Sequence, residues 1–345
     1  MDYPFRNFIF EGGGVKGIAY IGALSVLQER EILPKIERIG GTSAGAIMGL
    51  LIGLNFSFKE IEDILLNLDF TRFLDDSFGV VLDTTRLFKE FGWYKGDYFR
   101  NWIGDLIQLK TGNPDATFKE IFETGKELGV RDMFFIGTNL STRRSEVFSM
   151  EHTPDLCVAD AVRISMSIPL LFAAKRGEYN DVYVDGGVLD NYPIKLFDRE
   201  KYVHEYSSEP EYYKKLNEQL RQNDEAAGLY VFNKETLGFR LDSGREIAMF
   251  RELVDPARKE IKDLIEFTKS LVDIYMESQQ NQHLHSDDWH RTIYINTLHV
   301  KTTEFHLSDE KKNALIQSGR ECAERYFEWY DDPANTVHNR PGPAS

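Results

Sequence analysis

Three short stretches combine glycine with a side chain that can do chemistry. Gly41-Thr42-Ser43-Ala44-Gly45 is a Gly-x-Ser-x-Gly pentapeptide. Small neighbours let such a serine sit on a sharp strand-to-helix turn, its hydroxyl exposed at the positive end of the following helix. Gly12-Gly13-Gly14-Val15-Lys16-Gly17 is a second turn, whose consecutive backbone N–H groups can converge on an anion. In an acyl-transfer enzyme that anion is the oxyanion of the tetrahedral intermediate, so Gly12, Gly13, Gly14, Lys16 and Gly17 are candidate oxyanion-hole residues. Lys16 is either a charge for a phosphate-bearing substrate or a solvent-exposed lysine at a helix start. Asp185-Gly186-Gly187 closes a short apolar run with a carboxylate. A carboxylate that ends a strand of a parallel sheet lands on the edge where the glycine turns lie, within reach of Ser43. As an isolated pair, Asp-Gly is an ordinary turn.

Other chemistries compete for the same residues. The glycine turn also satisfies Gly-x-Gly-x-x-Gly, the dinucleotide fingerprint, and Glu37 lies twenty residues beyond Gly17, where a ribose-binding acid is sought. Glu37, however, precedes Ile39 inside the second strand, whose carboxyl end holds the serine turn instead. A Ser–Asp–His triad needs a late histidine, and of the eight in the chain His299 and His306 are placed for it, but neither belongs to a recognisable motif. His283 and His285, near Asp287 and Asp288, read as a solvated loop rather than a metal site. Ser43 and Asp185 remain candidates to act together, with Gly41, Gly45, Gly186 and Gly187 shaping the turns. A non-catalytic lipid-binding protein or a signal-activated effector on the same scaffold is the remaining alternative.

The elements that must position these residues follow from hydrophobic periodicity. Phe8 to Phe10 is a buried strand entering the glycine turn, and a helix follows from about Gly17 to Arg30. Ile36 to Ile39 and Ala44 to Leu54 repeat the pattern as strand, turn and helix. This predicts a three-layer α/β/α domain with a mainly parallel central sheet. Helices are expected at Ser57 to Leu68 and Ser308 to Tyr330, each capped by its serine, at Thr117 to Leu128, and at Pro154 to Met166. Met133 to Thr138, Glu146 to Ser149, Val182 to Val184, Leu229 to Phe232 and Thr292 to Asn296 are expected strands. Asp255 to Gln282 reads as a long polar helix. The aromatic-rich stretch from Asp69 to Gly112 is either a lipid-facing cap or the core of a helical subdomain. The expected division is a catalytic domain over 1–200, a continuation with helical additions over 201–332, and a disordered tail over 333–345.

Composition limits the partners. A net charge of −15 excludes non-specific nucleic-acid binding and argues against electrostatic capture by anionic lipid, so membrane contact should rest on apolar residues. Two cysteines, Cys157 and Cys322, read as reduced thiols, and no apolar stretch is long enough to span a bilayer. The expected protein is soluble and cytoplasmic, with peripheral contact at membranes.

The three motifs in this order, Glu11-Gly12-Gly13-Gly14-Val15-Lys16-Gly17, then Gly41-Thr42-Ser43-Ala44-Gly45, then Asp185-Gly186-Gly187, resemble those of patatin-like phospholipases. Val162 to Phe172, with Ser165, Ser167 and Pro169, resembles the family's helix-to-loop segment, and the resemblance covers about residues 5 to 200. Gly187 departs from the alanine found in many members. The resemblance implies a Ser–Asp dyad, an oxyanion hole from the glycine-rich loop, no metal or cofactor, and lipid acyl ester substrates.

Overall fold

The computed structural model describes residues 3–75, 89–125, 128–222, 228–242 and 286–340, with a few positions between 261 and 274. The strands are β1 (Asn7–Phe10), β2 (Arg38–Gly41), β3 (Gly92–Tyr94), β4 (Asp132–Asn139), β5 (Arg144–Ser149), β6 (Leu170–Phe172), β7 (Lys175–Arg176), β8 (Val182–Asp185), β9 (Ser207–Ser208), β10 (Phe232–Asn233), β11 (Thr236–Asp242) and β12 (Thr292–Asn296). The helices are α1 (Tyr20–Glu29), α2 (Ala44–Gly53), α3 (Phe58–Leu66), α4 (Asp97–Thr111), α5 (Phe118–Gly125), α6 (Val158–Ser165), α7 (Glu211–Gln222) and α8 (Asp309–Asp331).

The central sheet runs β12-β11-β1-β2-β4-β8-β7, with β5 also paired to β4. From β12 to β4 every pairing is parallel; β5, β7 and β8 are antiparallel. All four residues of β1 are buried, as a central strand covered on both faces requires. Their side chains alternate between two cores. Phe8 and Phe10 join the large cluster that includes α1, α2 and α8 residues, whereas Ile9 packs with Phe134, Ile194, Phe197 and Tyr202 on the other face.

The expected serine caps are present. Ser57 forms a capping box with Glu60, and Ser308 accepts from the Lys311 N–H. The long strand β11 was not expected from the sequence. Leu237, Phe239 and Leu241 alternate as a strand should, but Gly238, Arg240 and Asp242 interrupt the apolar run. Gly238 is there because a Cβ would lie 1.8 Å from the Tyr192 hydroxyl. The helix expected at 255–282 falls almost entirely outside the described residues. The tail expected to be disordered from residue 333 is described through Arg340, and Asn339 within it is fully buried.

In the aromatic stretch, Phe70, Phe73 and Phe99 are core residues, with Phe73 in edge contact with Phe99 at 4.9 Å between centroids. The subdomain-core reading therefore holds for these rings; Phe78 and Phe88 lie outside the described residues.

β12 and the loop after β8 are joined by a buried ion cluster. Arg291 bonds both carboxylate oxygens of Asp198, at 2.6 and 2.8 Å, and Asp288 at 2.6 Å, and all three side chains are fully buried. The Tyr213 hydroxyl also donates to Asp198. Asp288 thus belongs to a packed ion pair rather than a solvated loop. Arg291→Met would leave Asp198 buried without its cation and Asp288 with Lys195 3.8 Å away, and we expect a loss of about 3–5 kcal/mol in urea unfolding; a loss below about 1 kcal/mol would show that water reaches the cluster.

Candidate active site

β4 brings the reactive residues together. On one edge it pairs twice: Asp132 to Phe135 with Arg38 to Gly41 of β2, in parallel, then Gly137 to Asn139 with Asp185 to Tyr183 of β8, antiparallel. β2 and β8 therefore meet end to end, carboxyl terminus facing carboxyl terminus, around Ile136. Ser43 leaves the end of β2 and Asp185 is the last residue of β8. The sequence argument that Asp185 ends a parallel strand is corrected here, because β8 arrives from the opposite direction.

Ser43 has φ 54° and ψ −121°, a conformation that non-glycine residues adopt only under constraint, at a cost of about 1–3 kcal/mol. Close packing imposes it. A Cβ on Gly41 would lie 2.3 Å from the Gly45 carbonyl oxygen, and one on Gly45 would lie 2.2 Å from that of Phe10. Every residue of α2, which begins at Ala44, is buried, so its amino-terminal dipole acts in a dry environment.

The segment from Arg163 to Ser167 spans both motifs. Ser165 Oγ accepts the Ser43 N–H at 3.0 Å, and the Ser167 carbonyl accepts the Asp185 N–H at 2.9 Å. The Ser43 hydroxyl points at Met166 Sδ, 3.3 Å away. Arg163, fully buried, holds this segment by donating to Ser167 Oγ and to the carbonyls of Lys95, Gly96 and Ala173. Sequence reasoning had marked Ser165 and Ser167 but not Arg163 or Met166. An arginine set between Val162 and Ile164 in a mostly apolar helix was the available sign.

Asp185 is fully buried. Oδ1 accepts the Gly187 N–H at 2.7 Å, and among the described residues Oδ2 has no hydrogen-bond partner within bonding geometry. Burial pushes its carboxyl up to about 7; the Gly187 N–H and the neighbouring Ser43 hydroxyl only partly offset this. Gly186 is required by contact, because a Cβ there would lie 2.4 Å from the Ile136 carbonyl oxygen.

The glycine turn lies against the same point, since a Cβ on Gly12 would sit 3.1 Å from Ser43 Cβ. Asn191 clamps Gly12 from both sides, its carbonyl accepting the Gly12 N–H at 3.0 Å and its Nδ2 donating to the Gly12 carbonyl at 3.1 Å. Gly14 has φ +55° and packs on the Thr302 carbonyl, which accepts the Val15 N–H. The N–H groups of Gly13 and Gly14 donate to no described residue. Gly17 packs on Ala44. Lys16 is buried rather than solvent-exposed, and Glu11 is held behind the turn by the Leu241 N–H at 2.6 Å, its carboxyl pushed up to about 8 by burial.

The rival readings lose their residues. Glu37 lies at the amino end of β2, away from the glycine turns, and pairs with Arg6, Arg38 and His204. No described histidine bonds Ser43 or Asp185. His299 and His306 flank the loop whose Thr302 backs the glycine turn, and His283 and His285 lie outside the described residues.

With this geometry in hand, comparison with known proteins is informative. The family model described as "Patatin-like phospholipase" matches residues 8–198. An uncharacterized Bacillus subtilis protein, YqhO, is 28% identical over 92% of this chain and 97% of its own length. A probable lipid hydrolase of invertebrate iridescent virus 6 is 30% identical over 56% of this chain and 63% of its own. Among solved structures, VipD from Legionella pneumophila has the same fold, with a TM-score of 0.61 at 17% identity over 94% of this chain and 67% of VipD.

The electrostatics of Asp185 carry a stability consequence. A carboxyl raised from its ordinary value to about 7 contributes stability below pH 4 that is lost as pH rises through 7. Asp185→Asn keeps an acceptor for Gly187 without the charge, so it should melt at a higher temperature than wild type at pH 8, with the difference vanishing near pH 4. A pH-independent difference would show that packing, not ionisation, is responsible.

Proposed function

The chain belongs to the patatin-like phospholipase family, and we propose that it hydrolyses lipid carboxyl esters, as a phospholipase A, lysophospholipase or related acyl hydrolase, through Ser43 and Asp185. The observation that carries this reading is the end-to-end meeting of β2 and β8 along β4, which sets a strained, buried serine beside a carboxylate oxygen without a partner.

The Ser43 hydroxyl turns from Met166 to Asp185, which takes its proton as Oγ attacks the ester carbonyl. The Gly13 and Gly14 N–H groups stabilise the oxyanion, and the α2 dipole favours the negative charge. Collapse of the intermediate expels the alcohol, which receives the proton held by Asp185. Water then attacks the acyl-serine, giving its proton to the same carboxylate, which returns it to Ser43 Oγ as the acyl–Oγ bond breaks and the fatty acid leaves. A carboxylate at its ordinary pKa is a poor base for a hydroxyl; burial of Asp185 brings it closer to the working pH. Ser43 is fully buried, so substrate entry requires the flexible Met166 side chain to move. No described helix is long and apolar enough to cross a membrane.

Turnover of a short soluble ester tests the dyad. Ser43→Ala and Asp185→Asn should each lose at least about 10³-fold in kcat while staying folded, and each of the eight histidines should be replaceable within about tenfold. Wild-type kcat/KM should rise about tenfold per pH unit below 7 and level off above it, because Asp185 acts only when deprotonated. A histidine variant as inactive as Ser43→Ala would replace the dyad with a triad.

A further inference from the structure

One groove beside the β7–β8 turn gathers cations, although the turn itself carries Glu178 and Asp181. Lys89, Lys95, Lys175 and Arg176 line one open groove there, against two carboxylates, Glu90 and Asp97. None of the four cations forms an ion pair with a described residue. Large apolar side chains are exposed on the segments that flank the groove: Phe91 is 44% exposed, Leu170 38% and Tyr179 94%. The backbone holds them together. Gly92 pairs with Leu170, the Ala174 N–H bonds the Glu90 carbonyl at 2.9 Å, and the Arg176 guanidinium lies 5.9 Å from the Phe91 ring centroid. Phe91, Leu170 and Tyr179 have φ of 64°, 65° and 58°. Bulky L-residues enter this left-handed region only where their surroundings impose it, and here the constraint falls on side chains directed outward.

We infer that this face docks the protein onto an anionic lipid surface. Phe91, Leu170 and Tyr179 enter the interfacial layer while the four cations meet headgroup phosphates. The inference rests on the lipid-hydrolase reading for its biological purpose. The net charge of −15 does not oppose it, because screening over roughly 8 Å at physiological salt leaves local charge to govern contact. The face also shares a hydrogen-bonded frame with the nucleophile's cover. Arg163 binds the carbonyls of Lys95 and Ala173 on one side and Ser167 on the other, next to the Met166 that touches Ser43.

Co-sedimentation of full-length Ser43→Ala protein with vesicles tests docking without hydrolysis. Binding to phosphatidylcholine vesicles containing phosphatidylglycerol should exceed binding to phosphatidylcholine alone by at least about tenfold and weaken in high salt. Adding Lys95→Glu, Lys175→Glu and Arg176→Glu should abolish the difference, and Phe91→Ser with Tyr179→Ser should weaken it. Three matched reversals elsewhere, Lys59→Glu, Lys214→Glu and Arg325→Glu, should change it less than twofold. Equal binding to both vesicle types, or loss from both sets of reversals alike, overturns the docking face. Turnover of a soluble ester by the Lys95, Lys175 and Arg176 variant with Ser43 intact separates the two claims: full turnover without vesicle binding leaves the hydrolase standing, and vesicle binding without turnover in wild type does the reverse.

Discussion

A single edge of β4 serves two strands that run toward each other. β2 ends at Gly41 and β8 ends at Asp185, and the two residues of β4 to which they pair, Phe135 and Gly137, are separated only by Ile136. The arrangement requires that β2 stop early, which the turn at Ser43 accomplishes, and that β8 stop where it meets that turn, which Gly186 allows by packing on the Ile136 carbonyl. The strained φ of Ser43 goes with the missing side chains at Gly41 and Gly45, which let the turn close on itself and on β1, and Gly186 lets β8 end against β4.

That gap is dry, and its dryness is both the cost and the use of the site. A carboxylate without a partner for one oxygen is unfavourable in a buried position, and its raised pKa reflects this. The fold holds it there through bonds made elsewhere: Ser165 to the Ser43 amide, Ser167 to the Asp185 amide, Asn191 to Gly12, and the buried guanidinium of Arg163 behind them. The same exclusion of water strengthens every dipole aimed at the serine. Met166, itself buried, covers the Ser43 hydroxyl at 3.3 Å.

Much of this was legible in the sequence where chemistry restricts residue type. A nucleophile elbow and an anion-binding turn tolerate little besides glycine and small residues, so both stood out before any coordinates. The caps at Ser57 and Ser308 were legible because a hydroxyl at that position has one local job. What the sequence concealed depended on partners distant along the chain. The antiparallel direction of β8 is set by pairing with β4, and no local pattern encodes it. β11 was hidden because Arg240 and Asp242 are buried against Glu11 and each other, which a hydrophobicity pattern reads as exposure. The clamp of Asn191 on Gly12 likewise joins residues far apart in the chain. The net charge, being a sum, gave no sign of the cations gathered in the groove beside Phe91.

The central claim is that Ser43 is made nucleophilic by Asp185 alone, and covalent trapping reaches it most directly. Wild-type protein would be treated with a fluorophosphonate probe, the intact mass recorded, and the adduct mapped by peptide sequencing as a function of pH. The account expects one adduct, on Ser43, with a labelling rate that climbs through about pH 7 and falls to background in Asp185→Asn. Labelling elsewhere, or labelling of Ser43 that persists unchanged without the Asp185 carboxylate, would contradict it.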